Sequence, residues 1–330
     1  MATALEKTSA PASDQAISSV IRVDGIRHSY GQRAALKGIS FDVRAGEIFG
    51  LLGPNGSGKT TLFRILSTLM LPTGGQATIA GFDVARQPDQ VRRRIGVVFQ
   101  AKSIDLKLSA AENLWHQGHL YGLRSGVLQS RIQEMLQRVA LLDRAKDRVE
   151  TFSGGMQRRV ELAKGLMHRP SVLLLDEPTT GLDPGARRDL WLYLDELRRQ
   201  ENVAIIVTTH LMEEAERCDR LAILSSGEIV GLGTPAELRS EIGGDVVMLE
   251  TADPASLADR IQARFGISAT VLENKVRMEI KDGLRFVTSL AETFPGTIQS
   301  VSISKPTLDD VFISRTGHRF WAENEKEEQE

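Results

Sequence analysis

The feature that most restricts the fold is Gly53-Pro54-Asn55-Gly56-Ser57-Gly58-Lys59-Thr60, preceded by an apolar strand pattern at Ile48 to Leu52 and followed by a helix opening at Thr61-Leu62-Phe63. Closing successive backbone N–H groups around a phosphate needs residues without a side chain in the way. The helix N-terminus adds partial positive charge, Lys59 is placed to reach β- and γ-phosphates, and Thr60 is a candidate Mg2+ ligand. The bare pattern arises by chance about once in a hundred chains of this size, and the strand-loop-helix setting makes chance rarer still. A loop delivered by a strand and received by a helix commits the chain to an α/β architecture.

The surrounding pattern agrees. Apolar strands at Ile48 to Leu52, Ile95 to Phe99, Val172 to Leu175, Val203 to Val207 and Leu221 to Leu224 alternate with amphipathic helical stretches, as in a parallel sheet covered by helices. Between Ile21 and Phe49, alternating β-rich segments punctuated by Gly25, Gly31, Gly38 and Gly46 predict a small antiparallel sheet. From about Asp105 to Gly165 no strand pattern occurs, and Ser109-Ala110-Ala111-Glu112 has capping-box spacing, so this stretch is expected to be a helical subdomain. After Gly243-Gly244 the order strand, helix, β-rich, helix, strand restarts, which predicts a separate α+β unit. The expected division is a disordered tail over 1–19, a main domain over 20–243, an accessory domain over 244–315 and a charged tail over 316–330.

Composition limits the alternatives. With 330 residues, 41% hydrophobic, 25% charged and a net charge of -2, the chain reads as globular, without the basic excess of a nucleic-acid binder. No apolar run reaches the ~18–20 residues that cross a bilayer, and the first residues lack the continuous apolar core of a signal peptide. The single cysteine, Cys218, suits a reducing compartment such as the cytoplasm and reads as a buried helix residue rather than a nucleophile. His116 and His119 have helical spacing but no ligand cluster beside them, and Arg92-Arg93-Arg94 reads as a solvated helix end.

Two further segments carry chemistry. A second apolar strand ends in Asp176-Glu177, where one carboxylate can meet a hydrated metal and the next can polarise water for attack on a γ-phosphate. Ser153-Gly154-Gly155-Met156 opens a helix; alone it is an ordinary N-cap, although its glycine-rich start could also bind an anion.

Together these segments resemble, in order, the nucleotide-binding domain of ATP-binding cassette transporters over about residues 21–242. The resemblance implies a P-loop NTPase core with antiparallel β and helical subdomains, followed by the small C-terminal α+β domain. It places ATP on Gly53, Pro54, Asn55, Gly56, Ser57, Gly58, Lys59, Thr60 and Thr61, with Tyr30 stacking on adenine. Gln100 matches the glutamine loop that senses Mg2+ and the attacking water, Leu175-Asp176-Glu177-Pro178 the Walker B segment, and Gly181-Leu182-Asp183 the D-loop. His210, in Thr208-Thr209-His210, matches the switch histidine. Phe152-Ser153-Gly154-Gly155-Met156 matches the signature, departing from the commonest form at Phe152 and Met156. The implied catalytic residues are Glu177, His210 and Gln100; the implied metal ligands are Thr60, Gln100 and Asp176.

Because the signature lies in the helical subdomain, away from the phosphate loop of its own chain, the resemblance implies a head-to-tail dimer in which each Ser153-Gly154-Gly155 completes the partner's ATP site. It also implies a separate transmembrane permease and a peripheral position on the cytoplasmic membrane face. The signature, the run Thr209 to Glu216 and the ending Pro306-Thr307-Leu308-Asp309-Asp310-Val311-Phe312 resemble the drug- and polysaccharide-export branch. The alternative is a soluble cassette ATPase acting on ribosomes or DNA. Such proteins usually carry two cassettes or an inserted segment, and here there is one cassette without an insert.

Overall fold

The computed structural model describes residues 19–320. In chain order, β1 (Ser19–Tyr30) and β2 (Arg33–Arg44) form a long hairpin, and β3 (Ile48–Leu52) leads into α1 (Lys59–Leu66). Next come β4 (Gly74–Ile79), β5 (Phe82–Asp83), α2 (Pro88–Arg92) and β6 (Ile95–Val98). The helical stretch holds α3 (Ala110–Leu120), α4 (Ser125–Arg138) and α5 (Gly154–Leu166). The chain then returns to the sheet through β7 (Val172–Asp176), α6 (Pro184–Glu201), β8 (Ala204–Thr209), α7 (Met212–Ala215), β9 (Arg220–Ser225), β10 (Glu228–Gly233) and α8 (Pro235–Ser240). The last unit comprises β11 (Asp245–Thr251), α9 (Pro254–Phe265), β12 (Thr270–Leu272), β13 (Lys275–Ile280), α10 (Gly283–Thr293), β14 (Ile298–Ser304) and α11 (Leu308–Thr316).

Three sheets result. The central one has the order β10-β9-β3-β8-β7-β6 and is parallel except for β10. Its strands are continuous apolar runs because both faces are buried: Leu173 and Leu175 pack towards the helical side with Val160 and Trp191, while Val172 and Leu174 pack towards Phe49, Leu62 and Phe63. The antiparallel sheet β2-β1-β4-β5 roofs that second face. Its strands β4 and β5, which lie beyond α1, are absent from the sequence reading, since Gly74-Gly75-Gln76 opens β4 without an apolar alternation. On the helical side, Ser109 caps α3 through the expected capping box with Glu112.

The C-terminal sheet, β12-β13-β11-β14, carries α9 and α10 on one face through Val247, Leu249, Leu257, Ile261 and Leu290. Its chain then turns back: Leu308, Val311 and Phe312 of α11 share one core with Leu52, Leu221, Ile223 and Leu238 of the main domain.

Three sequence expectations need correction. Ser19, assigned to the N-terminal tail, is the first residue of β1; the remainder of that tail lies outside the described residues. The charged tail does not begin at 316, because Thr316 ends α11 and Phe320 is fully buried against Phe312; residues 321–330 lie outside the described residues. Cys218 is buried as expected, but it sits in the bend after α7 rather than in a helix, its thiol 3.5 Å from the Glu214 carbonyl.

Candidate active site

Strand register gathers the site. Leu52 pairs with Thr209, Asp176 with Thr208, and Val98 with Leu175. The residues that follow, Gly53, His210, Glu177 and Gln100, therefore leave the C-terminal edge of one parallel sheet together, the edge at which such sheets bind ligands. A cleft of about 1000 Å3 opens there, lined by Tyr30, Asn55, Gly56, Gly58, Lys59, Thr60, Thr61, Gln100, Glu177 and His210.

The glycines of the loop are needed by geometry. Gly56 and Gly58 have φ of 76° and 105°, and a Cβ on Gly58 would lie 2.8 Å from the Ala35 carbonyl. A Cβ on Gly53 would lie 2.4 Å from Ser57 Oγ. Lys59 is 5% exposed, and its ammonium donates to the carbonyls of Gly53 and Pro54 at 2.6 and 2.7 Å. The cation is thus held by the backbone of the loop itself. Tyr30 stands at the rim, 46% exposed, with its hydroxyl 3.5 Å from Thr61 Oγ1.

The two carboxylates sit in different environments. Asp176 is buried and accepts a 2.6 Å bond from the Thr208 hydroxyl; burial, with the Glu177 charge adding to it, raises its pKa above the ordinary carboxylate value. Glu177 is only partly buried and lies 3.1 Å from His210 Nδ1, with Gln100 and Thr180 donating to its carboxylate at 3.2 and 3.1 Å. The His210 contact lowers its pKa, so the group is held as an anion. Its backbone is strained, with φ of 43°, and its N–H is fastened to the carbonyl and hydroxyl of Thr208 at 3.2 and 3.0 Å. Non-glycine residues in this conformation persist only where the surroundings enforce it.

The ABC transporter family model matches residues 36–180, and that of the ATP-binding protein DrrA1-3-like C-terminal domain matches residues 233–316. The linearmycin resistance ATP-binding protein LnrL of Bacillus subtilis is 36% identical over 307 residues, covering 90% of this chain and 98% of the relative. The chain belongs to the ATP-binding subunits of ABC transporters. The doxorubicin resistance ATP-binding protein DrrA of Mycobacterium tuberculosis is 38% identical over 308 residues, with 89% of this chain and 92% of that one covered. The Nod factor export ATP-binding protein I of Paraburkholderia xenovorans is 40% identical over 245 residues, with 74% and 80% covered. Among solved structures, the ATP-binding cassette MJ0796, a dimer in a post-hydrolysis state bound to ADP and Pi, superimposes with a TM-score of 0.59 at 28% identity, covering 65% of this chain and 98% of that one. The chain is accordingly an ATPase that binds ATP for a transporter.

In this ABC subunit the remaining sequence-assigned residues lie apart from the cleft. Ser153 is exposed and caps α5 through the Met156 N–H at 3.3 Å; Asp183 is exposed and caps α6 through the Ala186 N–H at 2.9 Å. The two helix starts are packed together, for a Cβ on Gly155 would meet the Ala186 Cβ at 2.7 Å. Neither Ser153-Gly154-Gly155 nor Asp183 lines the cleft of its own chain.

Several supporting residues escaped sequence reasoning. Thr208 ties the Asp176 carboxylate and the Glu177 backbone N–H, as above, and Arg33, Lys37 and Thr180 also line the cleft. Glu214, 2% exposed, accepts hydroxyl bonds from Thr179 and, at 2.7 Å, Thr209. Arg158 is a buried cation at the junction of three segments. The only sequence signal for these was a polar residue beside a motif, which names no partner.

Proposed function

We propose that the chain powers an exporter: two copies, or this chain and a close relative, face each other head to tail and close around two ATP molecules, driving a separate membrane-spanning permease from its cytoplasmic face. The observation that carries this is the split site. Lys59, Gln100, Glu177 and His210 converge on one cleft, while the exposed glycine-rich start of α5 is not among the residues that line it. A helix N-terminus with free N–H groups is suited to an anion, and the γ-phosphate of a partner's ATP is one it could reach in a dimer. Among the described residues no helix is long and apolar enough to cross a membrane, which accords with the need for a permease. The export reading draws on relatives named for drug resistance and Nod factor export, and the same likeness weighs against a soluble ATPase acting on ribosomes or DNA.

In the mechanism, the loop from Gly53 to Thr61 and Lys59 bind the phosphates, and Tyr30 stacks on the base. Thr60, Gln100 and Asp176 present oxygen donors of the kind Mg2+ takes; bound Mg2+ would neutralise charge across the β- and γ-phosphates. Glu177 receives the proton of the attacking water, and His210 and Gln100 orient its carboxylate. Ser153, Gly154, Gly155 and Asp183 complete the site across the dimer. Closure does work on the permease because ATP binds the closed dimer better than the open one.

Glu177→Gln keeps shape and hydrogen bonding while removing the base, and loss of a base costs about 10²–10⁴-fold in rate. The variant is expected to accumulate an ATP-bound dimer on size-exclusion chromatography with ATP and Mg2+, whereas Lys59→Ala is expected to bind ATP weakly and stay monomeric. Hydrolysis at the wild-type rate by Glu177→Gln would remove the assigned base. A Glu177→Gln chain that remains monomeric at saturating ATP would remove the site shared between two copies of this chain.

A further inference from the structure

Arg158 occupies the second turn of α5, the helix that begins with the signature, and is 7% exposed. Its Nε donates to the Pro178 carbonyl at 2.9 Å, its Nη1 to the Phe99 carbonyl at 2.7 Å, and its Nη2 to the Asp176 carbonyl at 3.3 Å. Glu161, buried beside it, takes a further 2.9 Å bond from Nη1. The three carbonyls have a common theme. Asp176 and Pro178 bracket Glu177, and Phe99 immediately precedes Gln100.

The strained turn at Glu177 is therefore held from two sides. Thr208 fastens its N–H, and Arg158 fastens the carbonyls before and after it. The same helix also straps down the chain beyond Gln100. Lys102 donates to Gln157 at 2.6 Å, the Ser103 N–H donates to Glu161 at 2.7 Å, and Lys164 donates to the Ser103 carbonyl. A shift of α5 must move the backbone carrying Glu177 and Gln100 with it, because packed interiors transmit displacement rather than absorb it.

We propose that Arg158 is a positioning residue: it sets the placement of Glu177 and Gln100, and through α5 it carries occupancy of Ser153-Gly154-Gly155 by the partner's nucleotide to hydrolysis in its own cleft. This rests on the shared site and on Glu177 as base, as proposed above. The guanidinium is suited to the task because its flat fork reaches several carbonyls in fixed directions and stays charged; a lysine ammonium is a point donor on a flexible stem. Coupling between nucleotides requires two distinct sites and two states that each ligand contacts differently; here the sites are the signature and the cleft, the states are the open and closed dimer, and α5 joins them.

The test uses the full chain and three substitutions, with ATP turnover, nucleotide affinity and melting temperature measured on each. Arg158→Lys leaves Lys59 and the phosphate loop untouched, so KM and nucleotide affinity should stay at wild-type values. Its kcat should fall by about 10²-fold, the effect of a misplacement of about 1 Å, and its rate should depend on ATP concentration with a lower Hill coefficient than that of the wild-type chain measured alongside. Glu161→Gln keeps an acceptor for Ser103 and leaves the carbonyl bonds of Arg158 in place, so it should lose clearly less. Wild-type kcat in Arg158→Lys overturns the proposal, as does a parallel loss of kcat, affinity and melting temperature, which would mark a structural role only. If Arg158→Lys does not fold, the charge-neutral pair Arg158→Met with Glu161→Gln decides by the same split between kcat and affinity. Glu177→Gln separates the two layers. If it still turns over ATP, the base assignment fails; if it is inactive and Arg158→Lys is wild-type, only the role of Arg158 fails.

Discussion

At the scale of single residues, burial decides which side chains are reactive. Cys218 is 5% exposed beneath Gly50, whose added Cβ would lie 2.9 Å from its sulfur. Burial, with the charges of Asp219 and Glu214 adding to it, pushes its thiol pKa well up, and the thiolate is the nucleophile. Native protein should therefore resist iodoacetamide at neutral pH and be labelled only in denaturant, as mass spectrometry would read. Labelling at the rate of a free thiol would refute this placement. The contrast with Glu177 is instructive: both residues were visible in the sequence, but the left-handed backbone that aims Glu177 into the cleft was not, because nothing local favours that conformation for glutamate.

At the scale of elements, the junction between α5 and β7 carries a pH-dependent contact. His168 stacks on Tyr121 with ring centroids 3.7 Å apart, and its Nε2 lies 2.9 Å from the Ile95 carbonyl. Its Nδ1 is buried without a partner among the described residues, so protonating it would place a charge where nothing accepts it. Burial lowers its pKa from the ordinary 6.5. For a group with a depressed folded pKa, the contribution to stability is complete above the unfolded value and is lost as pH falls below it towards the folded value. The denaturation midpoint should accordingly drop on acidification below about pH 6.5, the ordinary histidine pKa, and His168→Phe, which keeps a ring against Tyr121, should flatten that drop. An equal slope in both proteins would count against the assignment.

At the scale of the molecule, the C-terminal unit shares core with the ATPase. Phe312 is fully buried between Phe320 and the side chains of Leu221 and Ile223 in one cluster. Phe312→Ala should cost about 3–5 kcal/mol, the usual range for emptying a phenylalanine site, measurable in denaturant titration. Every residue lining the cleft lies at or before Ser226, so truncation near Gly244 should leave nucleotide binding but lower the melting temperature by uncovering Leu52 and Leu238. Truncation without any change in melting would mean that α11 contributes nothing to the core.

What the sequence determined by itself was whatever depends on local chemistry and period. The glycine spacing from Gly53 to Gly58 specified a phosphate cradle, the apolar runs such as Val172 to Leu175 specified strands buried on both faces, and Ser109 with Glu112 specified a helix start. Those signals suffice because a backbone turn, a two-sided strand and a cap are each satisfied within a few residues. Which distant groups meet was settled by packing in three dimensions. Register across parallel strands brought Gln100, Glu177 and His210 to one edge, Arg158 found carbonyls as far away as Phe99, and α11 returned to cover Leu52. Side-chain partners separated by tens of residues are chosen by how the layers pack, and that packing energy is summed over the whole chain rather than written at any one position.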